Sequence, residues 1–128
     1  MKFGYTIIYV ADVESTMAFY TKAFGLEQQF LHESKQYAEL DTGTTKLAFV
    51  SNTLAKSNGV DFIKNSLKNT AAGFEIALVS EDVDHSYNHA LSNGAIKVKE
   101  PTTKPWGQKV AYVRDLNGIL VEICSPIG

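Results

Sequence analysis

Apolar and polar positions change period several times along the chain. Residues 3–10, ending Tyr5-Thr6-Ile7-Ile8-Tyr9-Val10, are dense in β-branched and aromatic side chains, which predicts a strand. Asp12 is placed to cap a following helix. In that helix Val13, Met17, Tyr20 and Phe24 form one apolar stripe, and Gly25 is a stop. Residues 26–32, 35–41 and 45–50 then read as three strands joined by polar turns. The second half repeats the order. A strand is predicted over 73–79 and a helix over 83–92, with Val83, Tyr87, Ala90 and Leu91 inward. Strands follow near 96–99, 108–114 and 119–124.

The repetition extends to sequence. Tyr5 to Val13 can be laid on Glu75 to Val83 at an offset of 70 residues, and both segments run into Asp-Val before a helix. Asp41-Thr42-Gly43 resembles Asp115-Leu116-Asn117-Gly118, each ahead of an apolar strand. Each half is thus β-α-β-β-β. A half of about 60 residues is marginal alone, so the two are expected to bury their sheets within one domain. The expected division of 1–128 is module one at 1–51, a linker at 52–71 and module two at 72–128. The linker is rich in Ser, Asn, Lys and Thr. Val60, Phe62, Ile63 and Leu67 in it are spaced for a short amphipathic helix. It reads as a solvated connector, with a pocket lid or a subunit arm as its functional alternative.

Composition narrows the function classes. The chain has 128 residues, 45% hydrophobic and 20% charged, which is a globular balance. Its 12 Lys+Arg against 14 Asp+Glu give a net charge of -2, so a basic footprint for nucleic acid is missing. No apolar run approaches the ~20 residues of a membrane span, and no membrane partner is expected. Met1 leads straight into strand-like sequence, which argues against a signal peptide. Cys124 is the one cysteine, so an intramolecular disulfide or a multi-cysteine zinc site cannot form. A cytoplasmic protein is the expectation.

Several segments resemble the vicinal-oxygen-chelate superfamily of glyoxalase I, bleomycin-resistance proteins and extradiol dioxygenases. Ile8-Tyr9-Val10-Ala11-Asp12-Val13, followed by Ala18-Phe19-Tyr20 and Phe24-Gly25, is similar to the family's opening. Phe74-Glu75-Ile76-Ala77-Leu78 through Asp82-Val83 is similar to the start of its second module. Pro105-Trp106-Gly107-Gln108, Val113-Arg114-Asp115 and Leu120-Val121-Glu122-Ile123 look like its closing hairpin. The resemblance covers nearly the whole chain. It implies an α+β fold of two βαβββ modules, whose strands form a half-open, curved mixed sheet around a pocket, and a homodimer.

The resemblance also implies four inward metal-ligand positions, which fall here on Tyr5, Ala48, Glu75 and Glu122. A tight Zn, Ni or Fe site wants three or four N, O or S donors, usually with imidazole among them. Only Glu75 and Glu122 qualify, so no cofactor is expected beyond a weakly held divalent cation at that pair. An extradiol dioxygenase is disfavoured, because no histidine occupies a ligand position. The two carboxyls remain candidate catalytic residues, since facing acids can serve as acid and base. Their structural alternative is simple hydrogen bonding to Tyr5 or water.

Strand period places Tyr5, Ile7 and Tyr9 on the pocket face together with Lys46, Ala48, Val50, Glu75, Ala77, Val79, Leu120, Glu122 and Cys124. The expected ligand-binding residues are Tyr5, Tyr9, Glu75, Trp106 and Glu122. Trp106 is placed through its Pro-Trp-Gly turn, with packing as the alternative to stacking on a ligand. His85 and His89 have metal-ligand spacing on a helix but read as a solvated face. His32 reads as exposed, and Cys124 as a small buried hydrophobe. The expected function is binding of a small organic ligand, as in bleomycin-resistance-like members, without a tight catalytic metal. The alternative is a lactoylglutathione-lyase-like enzyme with a weak metal site at Glu75/Glu122.

Overall fold

The computed structural model describes residues 1–127. Eight strands and three helices run in the order β1 (Tyr5–Val10), α1 (Val13–Phe24), β2 (Gln28–Leu31), β3 (Tyr37–Leu40), β4 (Lys46–Ser51), α2 (Asn52–Lys56), β5 (Glu75–Val79), α3 (Val83–Ser92), β6 (Ile96–Thr103), β7 (Lys109–Arg114) and β8 (Leu120–Cys124). They form two compact units, one over Met1–Asn65 and one from Ser66 onward. Each holds a four-stranded mixed sheet, ordered β1-β4-β3-β2 in the first and β5-β8-β7-β6 in the second. The fold is α+β, built from two βαβββ modules, and neither sheet closes into a barrel.

In each module the first strand pairs in parallel with the last, and the hairpins between are antiparallel. A parallel pair needs a crossover, and α1 and α3 supply it. In the first unit Val13, Met17 and Tyr20 are buried on the sheet side of α1, and the Tyr20 ring lies 4.9 Å from that of fully buried Phe49. In the second, Val83, Tyr87 and Ala90 of α3 are buried, as are Ala111, Val113, Val121 and Ile123 of the sheet. The alternation on β1 is clear: Ile8 and Val10 are buried, while Tyr5 and Ile7 are about half exposed on the helix-free face.

The helix ends differ in mechanism. Asp82 caps α3 through its side chain, which accepts from the His85 amide. Asp12 occupies the N-cap of α1 without a side-chain bond, and Thr16 Oγ1 instead donates to the Asp12 carbonyl. Gly25 closes α1 at φ 70°, a left-handed conformation that favours glycine.

Two sequence expectations are corrected. The helix between the modules lies at Asn52–Lys56, not across Val60, Phe62, Ile63 and Leu67. Ser51 starts it by accepting from the Leu54 amide, and Gly59 follows shortly after its end. Phe62 packs instead on β1, its ring 4.7 Å from Tyr9 and edge-on, while Asn65 Nδ2 donates to the Tyr9 carbonyl. This segment covers the free edge of β1, where an unpaired strand is a liability. β6 also runs four residues beyond the predicted end. It passes through Pro101, which an edge strand tolerates.

Candidate functional site

In the second unit the parallel register sets Ala77 beside Glu122 and Glu75 beside Leu120, so Glu75 and Glu122 share the helix-free face on a diagonal. The antiparallel register sets Tyr112 opposite Glu122. Tyr112 Oη donates to Glu122 Oε1 at 2.9 Å. Glu75 and the Cys124 thiol lie near enough to Glu122 to act on it electrostatically. Glu122 is therefore the hub of a small cluster, with a phenol donating to it and a thiol and a second carboxyl beside it.

The electrostatics follow from that hub. Partial burial raises the Glu75 pKa, and the negative Glu122 beside it adds to the effect. Burial and Glu122 together push the Tyr112 phenol up to about 12 and the Cys124 thiol up to about 11. Both remain protonated donors at neutral pH. Chemically, the cluster offers an acid and a base side by side, plus a negative charge aimed away from the helices.

Neither Glu75 nor Glu122 makes a salt bridge among the described residues. Ion pairs form elsewhere, among them Lys35–Glu14, Lys97–Glu100 and Lys109–Asp84. Arg114 lies on β7 two residues from Tyr112, but its guanidinium is committed elsewhere. It donates to the carbonyls of Gly118, Ser66, Leu67 and Asn69.

Tyr5 and Tyr9 lie on β1 of the first unit. Tyr5 is open to solvent, whereas the Tyr9 ring is engaged by Phe62. Trp106 sits in the β6–β7 turn, 65% exposed, with Nε1 donating to Gln108 Oε1. From Lys109 to Tyr112 the strand runs roughly 10 Å, so the indole belongs to the hairpin tip and not to the carboxyl row. Ala48 is fully buried and brings only a methyl group. His85 and His89 are exposed and stack on each other at 6.3 Å. No group of three or more His, Cys, Asp or Glu side chains able to hold a metal ion occurs among the described residues.

Sequence reasoning missed Glu39 and Phe30. Glu39 lies opposite Ala48 on one side and opposite Phe30 on the other, and Tyr37 Oη donates to its Oε2 at 2.8 Å. The signal was available in the strand period of Tyr37-Ala38-Glu39-Leu40, where Ala38 and Leu40 are the buried phase.

Comparison with known proteins agrees with this architecture. Residues 2–123 match the model of the Glyoxalase/Bleomycin resistance protein/Dioxygenase superfamily. The uncharacterized protein YraH of Bacillus subtilis (strain 168) is 32% identical over 117 residues, covering 89% of this chain and 90% of that protein. A glyoxalase-related enzyme from Fulvimarina pelagi superposes with a TM-score of 0.84 at 16% identity, over 98% of this chain and 88% of its own. A glyoxalase/bleomycin resistance protein/dioxygenase from Nocardioides gives 0.75 at 18%, over 98% and 83%. With matching module order, sheet topology and sequence family, the chain belongs to the glyoxalase/bleomycin resistance/dioxygenase (vicinal-oxygen-chelate) superfamily.

Proposed function

We propose that this protein binds a small organic molecule on the helix-free face of its second sheet, at Glu75 and Glu122, without a tightly held catalytic metal. The observation that carries the reading is Glu122, a half-buried carboxylate that accepts from Tyr112, has Glu75 and Cys124 beside it and makes no salt bridge among the described residues. Such a site favours a ligand that brings positive charge or hydrogen-bond donors. Trp106, at the β6–β7 hairpin tip of the same unit, is part of the proposal as an aromatic contributor. A homodimer in the cytoplasm is its setting, supported by the family and by a single, buried cysteine.

The test is a screen of small cationic and neutral aromatics by amide NMR shifts, on the protein as purified with its metal content measured. Binding should perturb residues around Glu122 and be weakened at least tenfold by Glu122→Gln. Binding that ignores this substitution would sink the proposal.

The adjacency of Glu75 and Glu122 favours one second reading, a lyase or isomerase resembling lactoylglutathione lyase, in which the pair moves a proton around a weakly bound divalent ion. Its test is turnover of the methylglyoxal–glutathione adduct with added Mg, Mn, Ni or Zn. The binding-protein reading expects negligible activity. Turnover near a typical enzyme rate of ~10 per second, lost in Glu75→Gln, would replace it with the enzyme reading.

A further inference from the structure

The first unit carries a carboxylate that the family's ligand positions do not include. One row of side chains crosses its sheet on the helix-free face: Ile7, Ala48, Glu39 and Phe30, each opposite the next. Glu39 is the only charged member. On one side it has the Ala48 methyl, too short to cover it. On the other it has the Phe30 ring, 44% exposed. Tyr37, two residues along β3, closes a third side, with its ring 6.4 Å from that of Phe30. Tyr5, 55% exposed, is near enough to act electrostatically on the Tyr37 phenol.

The charges around Glu39 are arranged for an external partner. Glu39 makes no salt bridge among the described residues. The lysine nearest in the sheet, Lys46 on β4, is turned to the Gln29 side chain, where Nζ donates to Oε1 at 2.7 Å. Tyr37 is held well above the ordinary phenol value by burial and by Glu39, so it stays a donor to Oε2 at all physiological pH. Oε1 accepts no hydrogen bond from another side chain among the described residues. A half-buried anion with one oxygen fixed, one oxygen open and aromatic faces around it matches an ammonium group attached to an organic body.

We propose that Glu39, Tyr37, Phe30 and Tyr5 form a receptor for a protonated organic amine, with the ammonium on Glu39 and the hydrocarbon against the rings. A neutral alcohol of the same shape lacks the charge and should bind far more weakly. A simple metal cation gains nothing from the rings, and a phosphate is repelled. This site uses none of the second-unit residues, so it stands or falls separately from the Glu75/Glu122 reading.

The experiment titrates benzylammonium chloride, with benzyl alcohol as the neutral control, into the full-length protein, followed by amide and side-chain NMR at low salt. The expected result is selective perturbation of β2 and β3 around Phe30 and Glu39, with benzylammonium at least tenfold tighter than benzyl alcohol. Glu39→Gln, whose amide oxygen still accepts from Tyr37, should weaken benzylammonium at least tenfold. Glu122→Gln should leave the affinity read from the β2 and β3 resonances within twofold, whatever it does to shifts around position 122. Phe30→Ala, an exposed position that does not threaten folding, should weaken it severalfold and provides a readout if Glu39→Gln fails to fold. Equal binding of the two probes, or benzylammonium affinity unchanged in Glu39→Gln or Phe30→Ala, would overturn the proposal. Equal loss in Glu39→Gln and Glu122→Gln would overturn its independence from the second-unit site.

Discussion

Gly118, buried in the β7–β8 turn, should be among the least replaceable turn residues in the chain, and Gly118→Ala measures why. Its φ is 82°, in the left-handed region. A methyl group there would meet the Ser66 carbonyl oxygen at 2.6 Å, the Ser66 carbonyl carbon at 2.8 Å and the Arg114 guanidinium at 2.6 Å. Two of those atoms are backbone and cannot rotate away. The left-handed conformation alone costs alanine about 1–2 kcal/mol. Relieving the contacts must also move Arg114 or Ser66. That breaks at least one of the guanidinium–carbonyl bonds, each worth about 1.5–3 kcal/mol when buried and less here, where several are exposed. The sum is about 3 kcal/mol. At about 4 °C per kcal/mol for a chain of this size, the melting temperature should fall by about 12 °C. Calorimetry of wild type and Gly118→Ala measures it, with Arg114→Ala and the double variant completing a cycle. The methyl and the guanidinium compete for one space, so the double variant should be less destabilised than the sum of the singles. A Gly118→Ala melting point within 3 °C of wild type would refute the reasoning.

Three further outcomes follow from the second-unit cluster. Glu75 has a folded pKa raised above its ordinary 4.5, so its contribution favours folding below that value and is lost as pH rises through the folded pKa; Glu75→Gln should therefore gain stability relative to wild type as pH increases from 4 toward 7, and a constant difference across urea titrations would contradict the coupling. The Cys124 thiol, 4% exposed and raised to about 11, should react with a disulfide reagent at pH 8 far more slowly than a free cysteine, with fast labelling of the native protein as the contrary result. Tyr112→Phe removes one donor from Glu122 and should cost about 1 kcal/mol or less in urea unfolding, with any larger loss meaning that the phenol also packs structurally.

The module order was legible in the sequence because its signals are local. The stripe from Val13 to Phe24 is a helical period, and the phase of Tyr5, Ile7 and Tyr9 is a strand period, so both survive folding. The site was legible only in part. Glu75 and Glu122 meet because each lies two residues or fewer from a paired position in a parallel register, which the family resemblance supplied. Glu39 escaped notice because its neighbours, Ala48 and Phe30, are set by the registers of two hairpins that no local pattern fixes. Phe62 misled for a related reason. Its apolar spacing with Val60, Ile63 and Leu67 is helical, yet its partner is Tyr9, far away in sequence. The start of α2 was readable in Ser51, whose hydroxyl caps the Leu54 amide, but the polar composition of the segment masked it. Arg114 reads as a surface charge, and only the fold reveals that it fastens residues 66–69 to the Gly118 turn.

The central claim is that Glu75 and Glu122 receive an organic ligand in place of chelating a metal. Calorimetric titration of zinc and nickel into chelator-treated protein tests it most directly. A complete three- or four-ligand site binds zinc by about 10 kcal/mol or more, which is a Kd well below about 1 µM. The account predicts no binding tighter than about 1 µM for either ion, and none that raises the melting temperature. Stoichiometric binding below that value, abolished by Glu75→Gln or Glu122→Gln, would contradict it.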